Sequence, residues 1–189
     1  VVPDTITDEW VIRALQLWPN NVGQTMNFFH DNLVQVSNFN DLGDKIVTVG
    51  WDSVVRIWNS NNGYMLQELV GHKDNVNWAD FSPSGNKIIS ASDDSTIIVW
   101  NISNVTEETI YPSLILKDHQ AEVIAANFSP DENYIISASY DGTIKLWNAK
   151  SGEFIKNLIE HYSKFLYCEF SEDGKLALRV KRPFKFYFH

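Results

Sequence analysis

The chain has 189 residues, 44% of them hydrophobic, and a formal net charge of −9 at pH 7. A chain of this length buries roughly 70% of the surface that its unfolded form exposes, so we expect one domain with a hydrophobic core. The negative charge argues against a protein that binds the phosphate backbone of nucleic acids, which requires clustered Lys and Arg. No apolar run approaches the roughly 20 residues of a membrane-spanning helix, and no signal-peptide pattern opens the sequence.

Cysteine usage indicates the compartment. Cys168 is the only cysteine in the sequence, so an internal disulfide is impossible. A fold that depends on burial and hydrogen bonds alone suits a reducing environment. The sequence therefore predicts an intracellular location, cytoplasmic or nuclear, without a membrane partner.

The strongest signal is a repeat of four residue types. In three windows an Asp follows a His by 22 residues, a Trp follows the same His by 28, and a hydroxyl residue lies four positions before the Asp. Self-similarity at a period of 20 to 50 residues identifies repeat architectures. The three sets are His30, Thr48, Asp52 and Trp58; His72, Ser90, Asp94 and Trp100; and His119, Ser137, Asp141 and Trp147.

The predicted elements, in chain order, are short strands. Residues 13–18 and 24–29 read as the third and fourth strands of a unit whose first half is absent. Each later window contains β-branched or aromatic runs separated by turn residues, and a further run after the Trp. These runs are MLQEL in the first window; VNWADF, KIISAS and TIIVW in the second; and VIAANF, YIISAS, TIKLW and FIKNL in the third. Four strands per unit of about 42 to 47 residues predict a propeller blade, with an inserted polar loop within residues 101–113.

These landmarks resemble the WD40 repeat family, whose blades carry a Gly-His pair, a hydroxyl on the second strand, an Asp in the next turn and a closing Trp-Asp pair. Gly71 and His72 keep the first signature, whereas Asn replaces the closing Asp in all three windows. The resemblance covers residues 28 to 189 and implies an all-β, WD40-type β-propeller with about four blades. The expected repeats are 28–69, 70–116 and 117–158, with a degenerate repeat at 159–189 and a partial preceding blade at 1–27.

The pattern breaks in the fourth window, which opens at His161. Pro183 and His189 stand where Asp and Trp are expected, and Arg179 replaces the hydroxyl residue. Two arrangements stay open. The chain is either part of a larger, usually seven-bladed ring, which we favour slightly, or a compact four-blade ring closed by residues 24–29 against 161–189. We also expect it to be part of a longer chain or complex.

The repeated His, Ser and Asp raise the question of catalysis. The family resemblance implies that His, hydroxyl, Asp and Trp of one blade form a buried hydrogen-bonded chain, and a buried carboxylate does require such partners. A hydrolase is the weaker alternative, because an enzyme needs one preorganised site and not three copies at identical spacing. Each periodic His also lacks a second metal ligand at close spacing. We therefore predict no catalytic residue, no metal and no cofactor.

The remaining candidates are surface positions. In this family partners often dock on the face that carries the loops around each His and Asp, and Trp, Tyr and Arg dominate interface hot spots. This implies a non-enzymatic scaffold or adaptor for protein or peptide partners, with Trp51, Tyr140 and Arg182 as first choices. An alternative is that Trp51 and Tyr140 only pack on neighbouring blades. The full set of predicted partner-binding residues is Trp51, Asp93, Tyr140, Arg182, Leu33, Asn75, Glu122 and Lys164.

The last fifteen residues, 175–189, are basic. They contain five of the fifteen Lys and Arg residues of the chain and no acidic residue. One interpretation is a degenerate edge strand, since Lys, Arg and Pro protect an exposed edge from pairing with another chain. The alternative is a segment that binds RNA or an acidic surface. The basic residues are Lys175, Arg179, Lys181, Arg182 and Lys185.

Overall fold

The computed structural model describes residues 10–15, 25–103, 110–160, 167–171 and 173–174. Within those ranges the regular elements are fourteen β-strands, with no helix. The strands are β1 (Trp10–Leu15), β2 (Thr25–His30), β3 (Val34–Phe39), β4 (Lys45–Gly50), β5 (Val54–Asn59), β6 (Met65–Val70), β7 (Val76–Phe81), β8 (Lys87–Ser92), β9 (Thr96–Asn101), β10 (Pro112–Lys117), β11 (Val123–Phe128), β12 (Tyr134–Ser139), β13 (Thr143–Asn148) and β14 (Phe154–Glu160).

The strands form three four-stranded antiparallel sheets in simple chain order. We call β3 to β6 the first blade, β7 to β10 the second blade and β11 to β14 the third blade. A separate antiparallel pair joins β1 to β2. The all-β propeller architecture expected from the repeat is thereby confirmed. The exact repeat boundaries stay a prediction.

The central strands of each blade are buried on both faces, which explains their composition. In β8 all residues except Lys87 are buried, and in β12 all except Tyr134. Strands covered on both sides read as continuous runs of Ile, Val, Ala and small hydroxyl residues instead of alternating apolar and polar positions. The predicted strands VNWADF and VIAANF coincide with β7 and β11.

Two strand predictions need correction at their ends. Pro112 and Ser113, which we assigned to the inserted loop, belong to β10. The strand predicted at 13–18 begins earlier, at Trp10, and is described only to Leu15. Both corrections move only the end of a strand, so they do not change which side chains of the strand lie on each face of the sheet. The centre of the inserted loop, 104–109, lies outside the described residues.

The blades pack side by side, with their first strands adjacent. β3 contacts β7, and β7 contacts β11. Apolar side chains fill the space between the first and second blades, among them Val55, Ile57 and Trp100. A second cluster between the second and third blades includes Ile97, Ile135 and Trp147. This arrangement places equivalent loops of successive blades at the same end of the molecule.

Two further segments flank the three blades. The β1–β2 pair lies beside the first blade, where the ring of Phe28 meets that of Trp58 edge-on at 5.2 Å between centroids. At the other side, residues 167–171 lie on the third blade, with Cys168 fully buried among Ala125, Ile136 and Ala138. These positions are those of a preceding blade and a following blade.

Several expectations fall on residues that the structure does not describe. They include most of the degenerate repeat, the proposed closure of residues 24–29 against 161–189, and the basic segment 175–189. The same holds for two predicted partner-binding residues, Lys164 and Arg182. β2 itself pairs with β1. Among the described residues no helix is long and apolar enough to cross a membrane.

Candidate functional site

The polar residues of the repeat meet inside each blade in a hydrogen-bonded chain, which we call the strut. In the second blade the indole Nε1 of Trp100 donates to Ser90 Oγ at 2.9 Å. The Ser90 hydroxyl lies 2.8 Å from His72 Nε2, and His72 Nδ1 lies 3.0 Å from an oxygen of Asp94. An indole N–H can only donate and a carboxylate can only accept. Each group therefore donates to the next one along the chain: Trp100 to Ser90, Ser90 to His72, and His72 to Asp94.

The other two blades contain the same strut. In the third blade Trp147 donates to Ser137 at 2.8 Å, and His119 lies 2.7 Å from both Ser137 and Asp141. In the first blade a threonine takes the place of the serine. There the corresponding residues are Trp58, Thr48, His30 and Asp52.

Further donors surround the carboxylate in the second and third blades. Asp141 accepts hydrogen bonds from the backbone of Gln120 at 3.0 Å and of Thr143 at 2.8 Å, and from the Thr143 hydroxyl at 2.6 Å. Burial raises the pKa of Asp141, but these hydrogen bonds and that of His119 outweigh it and lower the pKa to about 2. The same balance, with Thr96 and Lys73, holds the pKa of Asp94 well below its usual range. Both carboxylates are therefore ionised at neutral pH.

The first blade holds its carboxylate with a cation in place of the threonine hydroxyl. Val54 stands where the other blades have threonine, and Arg56 Nη1 donates to Asp52 at 2.5 Å. Nε of Arg56 donates to Glu68 of β6 at 2.8 Å. Burial raises the pKa of Asp52, but His30 and Arg56 hold it well below its usual range. Sequence reasoning missed Arg56, although the loss of the threonine at position 54 signals that another donor is needed.

The strut geometry answers the question of catalysis at these residues. The side chains of Thr48, Ser90 and Ser137 are 0% exposed, so no substrate reaches their hydroxyl groups. Burial also lowers the pKa of His119, which keeps the ring neutral and committed to Ser137 and Asp141. Each strut stabilises the turn between the second and third strands of its blade. Among the described residues, no group of three His, Cys, Asp or Glu side chains is placed to hold a metal ion.

The loops at the strut end of the blades form one surface, which we call the top face (31–33, 51–53, 73–75, 93–95, 118–122 and 140–142). The predicted partner-binding residues pair within it through backbone hydrogen bonds of 2.9 Å in every blade. This regular pairing fixes each turn tip relative to the loop that follows the strut histidine. The pairs, donor first, are Trp51 with Leu33, Asp93 with Asn75, and Tyr140 with Glu122.

Exposure differs among these residues. Trp51 is 48% exposed, and Glu122 is also exposed. Tyr140, Leu33 and Asn75 are partly exposed. The hydrogen bond from the backbone of Trp51 to Leu33 fixes the turn tip from which this large, half-exposed side chain projects.

Asp93 belongs to a polar cluster that sequence reasoning missed in part. Its carboxylate accepts hydrogen bonds from Asn75 at 3.2 Å and Asn77 at 2.6 Å. The same Asn77 amide donates to the Val123 carbonyl of the third blade at 3.1 Å. Asp93 is thus coupled to the junction between two blades, which its position in the sequence does not reveal.

The described part of the top face is acidic. Lys73 is the one Lys or Arg residue in those loops, and it is exposed. The strut carboxylates are held by internal hydrogen bonds, and Asp52 also pairs with Arg56. Other carboxylates lie at the surface. These are Asp31, Asp74 and Glu122, with Asp93 partly exposed. Asp118 is exposed as well, but it is ion-paired with Lys145.

The protein therefore has β-propeller architecture: its four-stranded antiparallel sheets pack side by side, and each contains a buried strut. A comparison with protein-family models matches WD40 (WD domain, G-beta repeat) at residues 24–59, 63–101 and 111–148, and the chain belongs to this family. Repeats of this family generally mediate protein–protein interactions as non-enzymatic scaffolds. A comparison with curated protein sequences gave no match.

Proposed function

We propose that this protein is a non-enzymatic scaffold that binds a protein or peptide partner on its top face, with Trp51 and Tyr140 as the central contacts. The observation that carries this proposal is the 48% exposure of Trp51 at a turn tip that a backbone hydrogen bond to Leu33 fixes. Because the backbone of the turn is already fixed, binding orders only the aromatic side chain itself, and less of the gain from its burial is lost to ordering the loop.

The charges of the top face favour a partner segment that carries Lys or Arg. Asp31 and Glu122 are exposed, and Lys73 is the one cation in the described loops. Carboxylates on an interface rim accelerate association with a basic segment and repel an acidic one. The expected partner is therefore a basic peptide or a basic surface loop, and its association rate falls with rising salt concentration.

Affinity capture with matched variants tests this proposal. Trp51→Ala and Tyr140→Ala are compared with the wild-type chain and with Tyr64→Ala, which removes an aromatic residue that is 73% exposed outside the top face. Circular dichroism and thermal unfolding verify the fold of each variant, and quantitative mass spectrometry measures the captured proteins. We expect proteins that the wild type and Tyr64→Ala retain and that the two top-face variants lose. Equal recovery by all four folded proteins would contradict the assignment of the site.

A further inference from the structure

A recurring hydrogen bond joins one blade to the next in the middle of the molecule. Asn38 Nδ2 of the first blade donates to the Ala79 carbonyl of the second blade at 2.9 Å. Asn127 Nδ2 of the third blade donates to the Cys168 carbonyl at 2.7 Å. Each Asn lies eight residues after a strut histidine, and each acceptor lies seven residues after the histidine of the next repeat. An amide side chain suits this position because a backbone carbonyl can only accept.

The second blade departs from this rule. Asp80 occupies the equivalent position, and Ala126 is the equivalent acceptor on the third blade. An ionised carboxylate has no proton to donate. Asp80 Oδ1 instead accepts a hydrogen bond from the backbone of Phe81, within its own blade, at 2.8 Å. Among the described residues, no hydrogen bond joins Asp80 to the third blade, so the middle of this junction lacks the bond that its neighbours make.

We propose that the junction between the second and third blades is proton-dependent: protonated Asp80 donates to the Ala126 carbonyl and forms the bond that Asn38 and Asn127 make permanently at the other two junctions. The proton comes from solvent, and no other bond changes. Protonation also removes a partly buried charge, which favours the protonated form in the folded state. In agreement, burial raises the pKa of Asp80 to about 6, and the nearby Asp41 carboxylate raises it further.

No neighbouring cation compensates the Asp80 carboxylate among the described residues. The adjacent strands β3 and β11 carry no ionisable side chain. Tyr167 interacts with Asp80 but stays neutral, because burial and Glu169 raise its pKa above the usual value. The cations on the other strands that pack on β7 or pair with it are bound elsewhere: Lys45 to Asp44, Arg56 to Asp52 and Glu68, and Lys87 to Glu132.

Other contacts keep the junction together when Asp80 is ionised. Asn77 bonds to Val123 near the top face, and Lys87 pairs with Glu132 at 3.2 Å near the opposite end. Burial raises the pKa of Glu132, but hydrogen bonds from Ser84 and Lys87 lower it below its usual value, so this pair does not change between pH 5 and 8. The proton therefore controls the middle of the junction without separating the blades.

The experiment compares wild type with Asp80→Asn by urea unfolding between pH 4 and pH 8. The folded pKa of about 6 lies above the unfolded value of 3.8, so wild type is destabilised relative to Asp80→Asn as pH rises from about 4 through 6, and the difference is constant above. We expect a change on the order of a hundredfold in the ratio of the two unfolding equilibrium constants. The carboxyl carbon of Asp80, followed by NMR, should titrate near pH 6 in the folded protein.

Two further variants make the outcome specific. Asn38→Asp transfers the carboxyl group to the first junction and should create a similar pH dependence there. Asp80→Leu removes the charge without supplying a donor and should be less stable than Asp80→Asn at pH 7.5. The proposal would be overturned if the difference in unfolding free energy between wild type and Asp80→Asn did not change with pH, or if Asp80 titrated near pH 4. Equal stability of Asp80→Leu and Asp80→Asn would overturn the bond to Ala126.

Discussion

The first and third blades hold the same buried carboxylate by different means. In the third blade Thr143 and two backbone amides surround Asp141, so the strut is complete within the loops of the top face. In the first blade Arg56 replaces the threonine and also binds Glu68, which extends the strut to the outer strand β6. The comparison shows that the repeat spacing fixes which groups meet, whereas the further donors that bind the carboxylate vary from blade to blade.

Acidification should produce the largest effect, because it acts on all three carboxylates. Each has a folded pKa below the unfolded value of 3.8, so its contribution is present above pH 4 and is lost as pH falls toward about 2, the pKa of Asp141. We expect each strut to lose on the order of 2 kcal/mol over this range. Urea unfolding at stepped pH measures the loss, in the Asp80→Asn background to remove the opposing proton effect. Constant stability down to pH 2.5 would contradict the prediction.

Arg56→Met should be the most damaging of the single substitutions. Arg56 and Asp52 are both buried, and removing one member of a buried ion pair costs about 3 to 5 kcal/mol because the other charge is left without its partner. Val54→Thr in the Arg56→Met background supplies the hydroxyl donor of the other blades and should restore part of the stability. Lys156→Met, at an exposed cation, is the control. If Val54→Thr does not raise the free energy of unfolding of the Arg56→Met variant, a threonine hydroxyl cannot replace Arg56 as a donor to Asp52.

Ser137→Ala should rank next. Its hydroxyl accepts from Trp147 and bonds to His119, so the substitution leaves two buried polar nitrogens without a partner. The expected loss is about 2 to 4 kcal/mol in the free energy of unfolding. The exposed Ser37→Ala is the matched control and should change stability by less than about 0.5 kcal/mol. A similar small change in both variants would show that the strut adds little to stability.

Thr143→Val should have the smallest effect of the series, about 1 to 2 kcal/mol. Asp141 loses one hydroxyl donor but keeps the backbone amides of Gln120 and Thr143 as well as His119. Chemical denaturation of Thr143→Val beside Arg56→Met gives the direct comparison between the two kinds of strut. A loss as large as that of Arg56→Met would mean that the hydroxyl matters as much as the guanidinium.

The sequence predicted the fold because the repeat combines several independent signals. The constant spacing of His, hydroxyl, Asp and Trp places the same groups at one end of every blade, and turn residues delimit the strands between them. The strand runs VNWADF and KIISAS coincide with β7 and β8 for this reason. Local pattern was sufficient here because each blade is built from neighbouring strands.

Beyond the struts, features that depend on which side chains meet, within a blade or between blades, were not predicted. Arg56 reaches Asp52 from the third strand and Glu68 on the fourth, and Asn77 joins Asp93 to the next blade. Both are ordinary strand residues in the sequence. The consequence of Asp80 became visible only when its position was compared with Asn38 in the assembled blades. Which residue a side chain contacts in the next blade depends on how the blades pack, and the repeat period alone does not predict it.

Cys168 allows local opening to be measured at the contact between residues 167–171 and the third blade. The thiol is 0% exposed beneath residues that rest on the third blade, and burial raises its pKa well above the usual value, so an alkylating reagent attacks only after the segment lifts away. Because the sequence contains no second cysteine, a modified molecule is one in which this segment has opened and exposed Cys168. The labelling rate therefore reports the opening of residues 167–171, without any engineered probe.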